Sequence, residues 1–154
     1  MRTLPLRLAV FTLALAIGPA PVSAMESDPP PSPVSADHAA GRRAIEARDW
    51  NAAIRSLTAA AQWEGDNPEI HNLLGFAYRN DGQLEPAFRH YQRALKLDPR
   101  HLGAHEYIGE AYLMTMNVAK AEEHLAALTR ICPRVCEQRD DLKQKIEAFR
   151  ARNR

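Results

Sequence analysis

The sequence predicts an all-α solenoid of three helical hairpins. Gly41, Gly75 and Gly109 stand 34 residues apart, and the same interval separates Ala53, Ala87 and Ala121. Matching residue types at two independent phases mark a repeated unit as long as one helical hairpin, and such units stack into slabs that hold other proteins. The third observation is a stripe: Leu84, Ala87, Phe88, Tyr91, Ala94 and Leu95 keep the i, i+3, i+4, i+7 spacing of a helix with one buried face.

In chain order, residues 1–24 read as a secretory signal peptide. Arg2 and Arg7 supply positive charge, Leu8 to Ile17 form an apolar run, and Val22-Ser23-Ala24 offers small residues at a cleavage point. The run is shorter than the roughly 20 residues a membrane span takes, and Gly18, Pro19 and Pro21 follow at once. The mature chain is therefore expected from about Met25 in the bacterial periplasm, with release beyond the cell as the alternative, and without membrane insertion once the signal is removed. Cleavage removes two arginines, so 20 basic residues become 18 against 19 acidic ones. No strong field remains to draw nucleic acid or anionic lipid.

Residues 25–33 hold four polar and acidic positions, Glu26, Ser27, Asp28 and Ser32, with Pro29, Pro30, Pro31 and Pro33 among them, the composition of an extended disordered linker. Three units are then expected over 34–67, 68–101 and 102–135, each two antiparallel helices. In the second, Leu73, Leu74, Phe76, Ala77 and Tyr78 belong to the first helix, Asn80-Asp81-Gly82 turns the chain, and Asp98-Pro99 stops the second helix. The third unit repeats this with Ile108, Tyr112, a Thr115-Met116-Asn117 turn, Ala121, Leu125, Leu128 and a stop at Pro133. The first is looser, with Ala44 where the others have tyrosine and Gly65 in place of the proline. Over 136–154 a last helix with Leu142, Ile146 and Phe149 on one stripe is expected to cap the open face of the final repeat.

Cys132 and Cys136 are the only cysteines, flanking Pro133. In an oxidising compartment they are expected to pair as a structural disulfide pinning the cap. The competing use, redox exchange or metal handling by Cys132 and Cys136 with His101 and His105, fits less well: the spacing is C-x-x-x-C rather than C-x-x-C. His105-Glu106-x-x-Gly109 begins like the zinc motif H-E-x-x-H but lacks the second histidine. His71 and His105 recur at one phase, which suggests packing at a helix crossing. No nucleophile elbow, phosphate loop or dinucleotide fingerprint is present, so neither catalytic residue, metal ligand set nor cofactor is expected, and the chain reads as a non-enzyme.

Leu74-Gly75-x-x-Tyr78 with Ala87, Tyr91, Ala94 and Pro99 resembles the tetratricopeptide repeat signature, and Ile108-Gly109-x-x-Tyr112 with Ala121 and Pro133 resembles it again. The resemblance implies a right-handed α-solenoid whose first helices line a concave peptide-binding groove. Carried over by phase, that groove takes His38, Arg42 and Ile45 from the first unit, Asn72, Phe76 and Arg79 from the second, and Glu106, Glu110 and Leu113 from the third. Phe76 would anchor an apolar side chain, Asn72 would bond a peptide backbone, and Arg79 would take a carboxylate in bidentate fashion. The family's carboxylate clamp is not matched, since His38, Arg42, Leu73 and Tyr107 stand at its positions. The implied function is a periplasmic adaptor or scaffold that docks a segment of another protein, in envelope assembly or cofactor insertion.

Overall fold

Short polar side chains set most of the helix starts. Asp49, Asn67, His101 and Asn117 each accept a hydrogen bond from a backbone N–H in the first turn they precede, satisfying a donor that has no partner inside the helix. Pro68 opens its helix where a missing N–H costs nothing. In the computed structural model residues 33–153 are described, as seven helices: α1 (Pro33–Glu46), α2 (Trp50–Trp63), α3 (Pro68–Asn80), α4 (Leu84–Leu97), α5 (Leu102–Met114), α6 (Val118–Ile131) and α7 (Glu137–Arg152). The expected signal peptide and linker lie outside the described residues, except Pro33, where α1 begins. None of these helices is long and apolar enough to cross a membrane.

The turn inside each hairpin is made in one way. Arg48, Gly82 and Met116, at 34-residue intervals, all take a left-handed backbone, with φ of 56°, 80° and 61°. A following N–H then reaches back to the helix, as Asp49 N to Ala44 O, Gln83 N to Tyr78 O and Asn117 N to Tyr112 O.

α1 pairs with α2, α3 with α4 and α5 with α6, and each hairpin packs on the next. Among the described residues the odd-numbered helices also touch one another along the stack, whereas α2, α4 and α6 do not. The slab is thus closed up on the odd side and splayed on the even side, which makes the odd helices the concave face: an all-α solenoid. α7 packs on α5 and α6, taking the place that the first helix of a fourth hairpin would hold.

Close approach at the repeat glycines draws the helices together. A Cβ at Gly41 would meet Leu57 at 2.5 Å, one at Gly75 would meet Tyr91 at 2.6 Å, and one at Gly109 would meet Leu142 at 2.7 Å. The first two receive a side chain from the second helix of their own hairpin, the third from α7. Leu57, Tyr91 and Leu142 are fully buried, as are Ala53, Ala87 and Ala121. Burying each of these large side chains is worth about 1.5–3 kcal/mol, so the glycine notches convert backbone proximity into stability.

Candidate functional site

The concave face is lined from α1, α3, α5 and α7, and its centre is occupied by an ion network. Arg79 of α3 is only 7% exposed. Its guanidinium lies 5.3 Å from the Phe76 ring centre and 5.4 Å from that of Tyr107, and it forms an ion pair with Glu110 of α5. Lys145 of α7 pairs with the same Glu110 and lies 3.7 Å from Glu106. Burial, reinforced by the neighbouring Glu110 charge, pushes the Glu106 carboxyl up to about 7. Phe76 also packs against Tyr107, tilted at 4.9 Å between ring centres, and edge-on to Trp50 at 6.1 Å.

This arrangement corrects two expected roles. Arg79 is not offered to a partner's carboxylate, because Glu110 already holds it and extracting it would leave a buried charge unpaired, at about 3–5 kcal/mol. Asn72 is 3% exposed and lies beneath the first turn of α5, where a Cβ on Gly103 would come within 3.2 Å of its Nδ2. It donates to Glu69 at 3.3 Å rather than to a peptide backbone. Leu113 is buried against α6 and α7, and His38 has its Nε2 buried without a partner among the described residues.

What remains open lies on either side of the network. Between α1, α3 and α5 a cleft of about 270 Å³ is lined by Arg42, Ile45, Glu46, Glu69, Leu73 and Tyr107. Arg42 is exposed and has no ion-pair partner among the described residues, while Ile45 and Leu73 are half-buried. Burial acts to raise the Glu69 carboxyl, but hydrogen bonds from His101 and Asn72 outweigh it and hold the group below its usual range. Between α3, α5 and α7 a second recess of about 500 Å³ carries Leu113, Met114 and Phe149 with Arg79, Lys145 and Arg152. Leu73 and Tyr107 share one phase 34 residues apart, a recurrence that could have marked them as lining residues. Lys145 and Arg152 carry no such mark, since they reach the face only through the docking of α7.

A second cluster sits where α3 meets α4 and recurs where α5 meets α6. His71 Nδ1 lies 3.1 Å from His90 Nδ1, and His105 Nδ1 lies 2.9 Å from His124 Nδ1. The far nitrogens of His71 and His105 meet the carbonyls of Gly65 at 2.9 Å and Pro99 at 3.1 Å. Tyr78 stacks on His90 and Tyr112 on His124. Burial, with the facing imidazole second, lowers both His90 and His124 to about 4. The expected packing role of His71 and His105 is thus a paired one. His101, by contrast, caps α5 and bonds Glu69, apart from this pair. Among the described residues no three His, Cys, Asp or Glu side chains converge on a metal position. Cys132 and Cys136 stand at disulfide distance, 2.04 Å between sulfurs, at the junction of α6 and α7.

Residues 68–101 match the tetratricopeptide repeat family. The chain carries a tetratricopeptide repeat over this hairpin. Its fold is similar to the TPR2B domain of yeast Sti1 in a complex with Hsp70, with a TM-score of 0.72 at 16% identity over 80% of this chain and 100% of that one. It is likewise similar to the second tetratricopeptide domain of human RPAP3 in complex with an HSP70 peptide, at TM-score 0.67 and 18% identity, covering 75% of this chain and 95% of that one. In sequence it is 24% identical over 87 residues to the human protein O-mannosyl-transferase TMTC3, which is 56% of this chain and 10% of that protein. The chain thus spans about a tenth of the length of the curated relative it matches.

Proposed function

We propose that the protein is a non-catalytic adaptor that docks an extended segment of another protein along its concave face, and that it works in the bacterial periplasm after removal of residues 1–24. The observation that carries this reading is the unfilled cleft between α1, α3 and α5, where Ile45, Leu73 and Tyr107 present apolar surface beside the exposed cation of Arg42. A peptide lying there would bury one apolar side chain and place an acidic group against Arg42. The ion network of Arg79, Glu110 and Lys145 then serves as a rigid floor: it orders the face before a partner arrives, which lowers the entropy lost on docking. The peptide complexes of the structurally similar domains support a peptide-sized occupant. Export is supported by the charge, apolar run and small residues of the leader.

A photoreactive residue in place of Leu73 tests the docking, with one in place of the exposed Arg89 on α4 as the control. Crosslinking of a reproducible partner at Leu73 and not at Arg89, weakened by Arg42→Glu, is the expected outcome. Equal labelling at both positions would remove the groove from the account. Fractionation of the native cells together with N-terminal sequencing tests the location, Met25 or a near neighbour being the expected first residue.

A further inference from the structure

The paired histidines recur with their carbonyl and tyrosine partners. His71, His90, Tyr78 and the Gly65 carbonyl are matched 34 residues later by His105, His124, Tyr112 and the Pro99 carbonyl. A carbonyl oxygen only accepts, so Nε2 of His71 and of His105 is the donor, and the neutral ring then presents a bare lone pair at Nδ1. Donation of the outer N–H to a backbone carbonyl is also what fixes the tautomer and orientation of a metal-ligating histidine.

We propose that the His105–His124 pair is a binding site for a borderline divalent transition ion, with Cu²⁺ the tightest, and that His71–His90 is a weaker copy. Two nitrogens 2.9 Å apart can both reach an ion at the roughly 2.0 Å typical of imidazole ligation, which places them at adjacent corners of a square-planar or octahedral shell. In the metal-free protein one proton lies between the two Nδ1 atoms. On binding, the His124 proton moves to its own Nε2 and both lone pairs turn to the ion, so the change is one of tautomer, and no net proton is released.

The neighbours separate the two copies. His105 and His124 border an open recess of about 400 Å³ that also carries Glu123 and Arg130, so water can complete the coordination and the carboxylate offsets the guanidinium charge nearby. Glu123 is held only by an exposed pair with Lys120, and such pairs are weak. The position equivalent to Glu123 in the preceding repeat is Arg89, a cation adjoining His90, which disfavours a second ion there. Bound metal would tie α5 to α6. This goes beyond adaptor function and does not depend on it, since the histidine edge is distinct from the cleft at Leu73 and Tyr107.

The test titrates the untagged full chain with Cu²⁺ alone, followed by calorimetry, by electron paramagnetic resonance for nitrogen coupling, and by proton resonances of the histidine rings. The expected result is one tighter and one weaker equivalent, nitrogen coupling in the tighter one, and broadening of the His105 and His124 resonances before those of His38 and His101. His124→Gln, which keeps a hydrogen-bonding amide, should weaken the tighter equivalent at least about tenfold, and Glu123→Arg should weaken it in the same direction. His90→Gln should remove only the weaker one. Uniform broadening of all six histidines in the wild-type chain, or undiminished binding by folded His124→Gln protein, would overturn the site.

Discussion

At the residue scale, the three left-handed turn positions show how a repeat tolerates different side chains at one strained backbone. Gly82 takes its φ without steric cost, whereas Met116 and Arg48 hold a Cβ against the following carbonyl. Met116 is 66% exposed, so its side chain contributes little packing to offset that strain. Met116→Gly should therefore stabilise the protein by about 0.5–1 kcal/mol, the relief of strain exceeding the added freedom of the unfolded chain. A rise in the urea midpoint checks it, and Gly82→Ala should lower the midpoint by a similar amount. Gly75 is the opposite case. Its Cβ would fall 2.6 Å from two carbons of the fully buried Tyr91 ring, so even Gly75→Ala forces α3 and α4 apart, and about 1–3 kcal/mol of destabilisation is expected despite the higher helix propensity of alanine.

At the element scale, α7 is the part whose role is largest relative to its size. It fills the Gly109 notch with Leu142, buries Ile146, and brings Lys145 to Glu110, so it closes the core and completes the concave face together. Leu142→Ala should cost about 2–5 kcal/mol, seen as an early loss of helical signal on heating. Removing the bridge with Cys132→Ser and Cys136→Ser should cost about 2 kcal/mol, since closing so short a loop constrains the unfolded chain little. The ratio of these effects tests whether packing or the covalent link holds α7. Helices and turns were legible in the sequence because their signals are local: Asn67 before Pro68, Gly82 in a turn, Asp98 before Pro99. The notches at Gly41, Gly75 and Gly109 were legible from spacing, but the identity of the side chain entering each was not, and Gly109 takes Leu142 rather than a residue of α6. Arg79 reads as a free cation in the sequence for the same reason. Its partner is 31 residues away, and the lysine that shares Glu110 arrives on a different element. The histidine pairs span 19 residues between helices, a distance at which neither helical periodicity nor turn chemistry carries information, and only the 34-residue recurrence of both members gives them away.

At the scale of the whole molecule, these buried groups set how stability follows pH, and they act in opposite senses. His90 and His124 titrate near 4 in the folded chain and near 6.5 when unfolded, with His105 shifted the same way, so between those limits the unfolded chain binds more protons. Their contribution is complete above pH 6.5 and is lost as pH falls through 4. Glu106 is raised from about 4.5 to about 7, so in that window the folded chain binds the extra proton. Its contribution is complete below pH 4.5 and is lost as pH rises through 7. Three imidazoles outweigh one carboxyl: discounted for partial exposure, His90 and His124 amount to about 2 kcal/mol each, against a similar figure for Glu106. Stability should therefore climb from pH 4 to about 7 and level off above it, the Glu106 loss only making the climb shallower. Urea unfolding in the presence of a chelator, taken at intervals across that range, measures the profile. Glu106→Gln should steepen the climb and raise stability at pH 8, and His90→Gln with His124→Gln should flatten the acid limb and unmask the Glu106 decline between pH 4.5 and 7. A profile that is level between pH 4.5 and 6.5 in the wild-type chain would mean that the imidazoles are solvated, and with that the pairing that orders both hairpin edges would have to be abandoned.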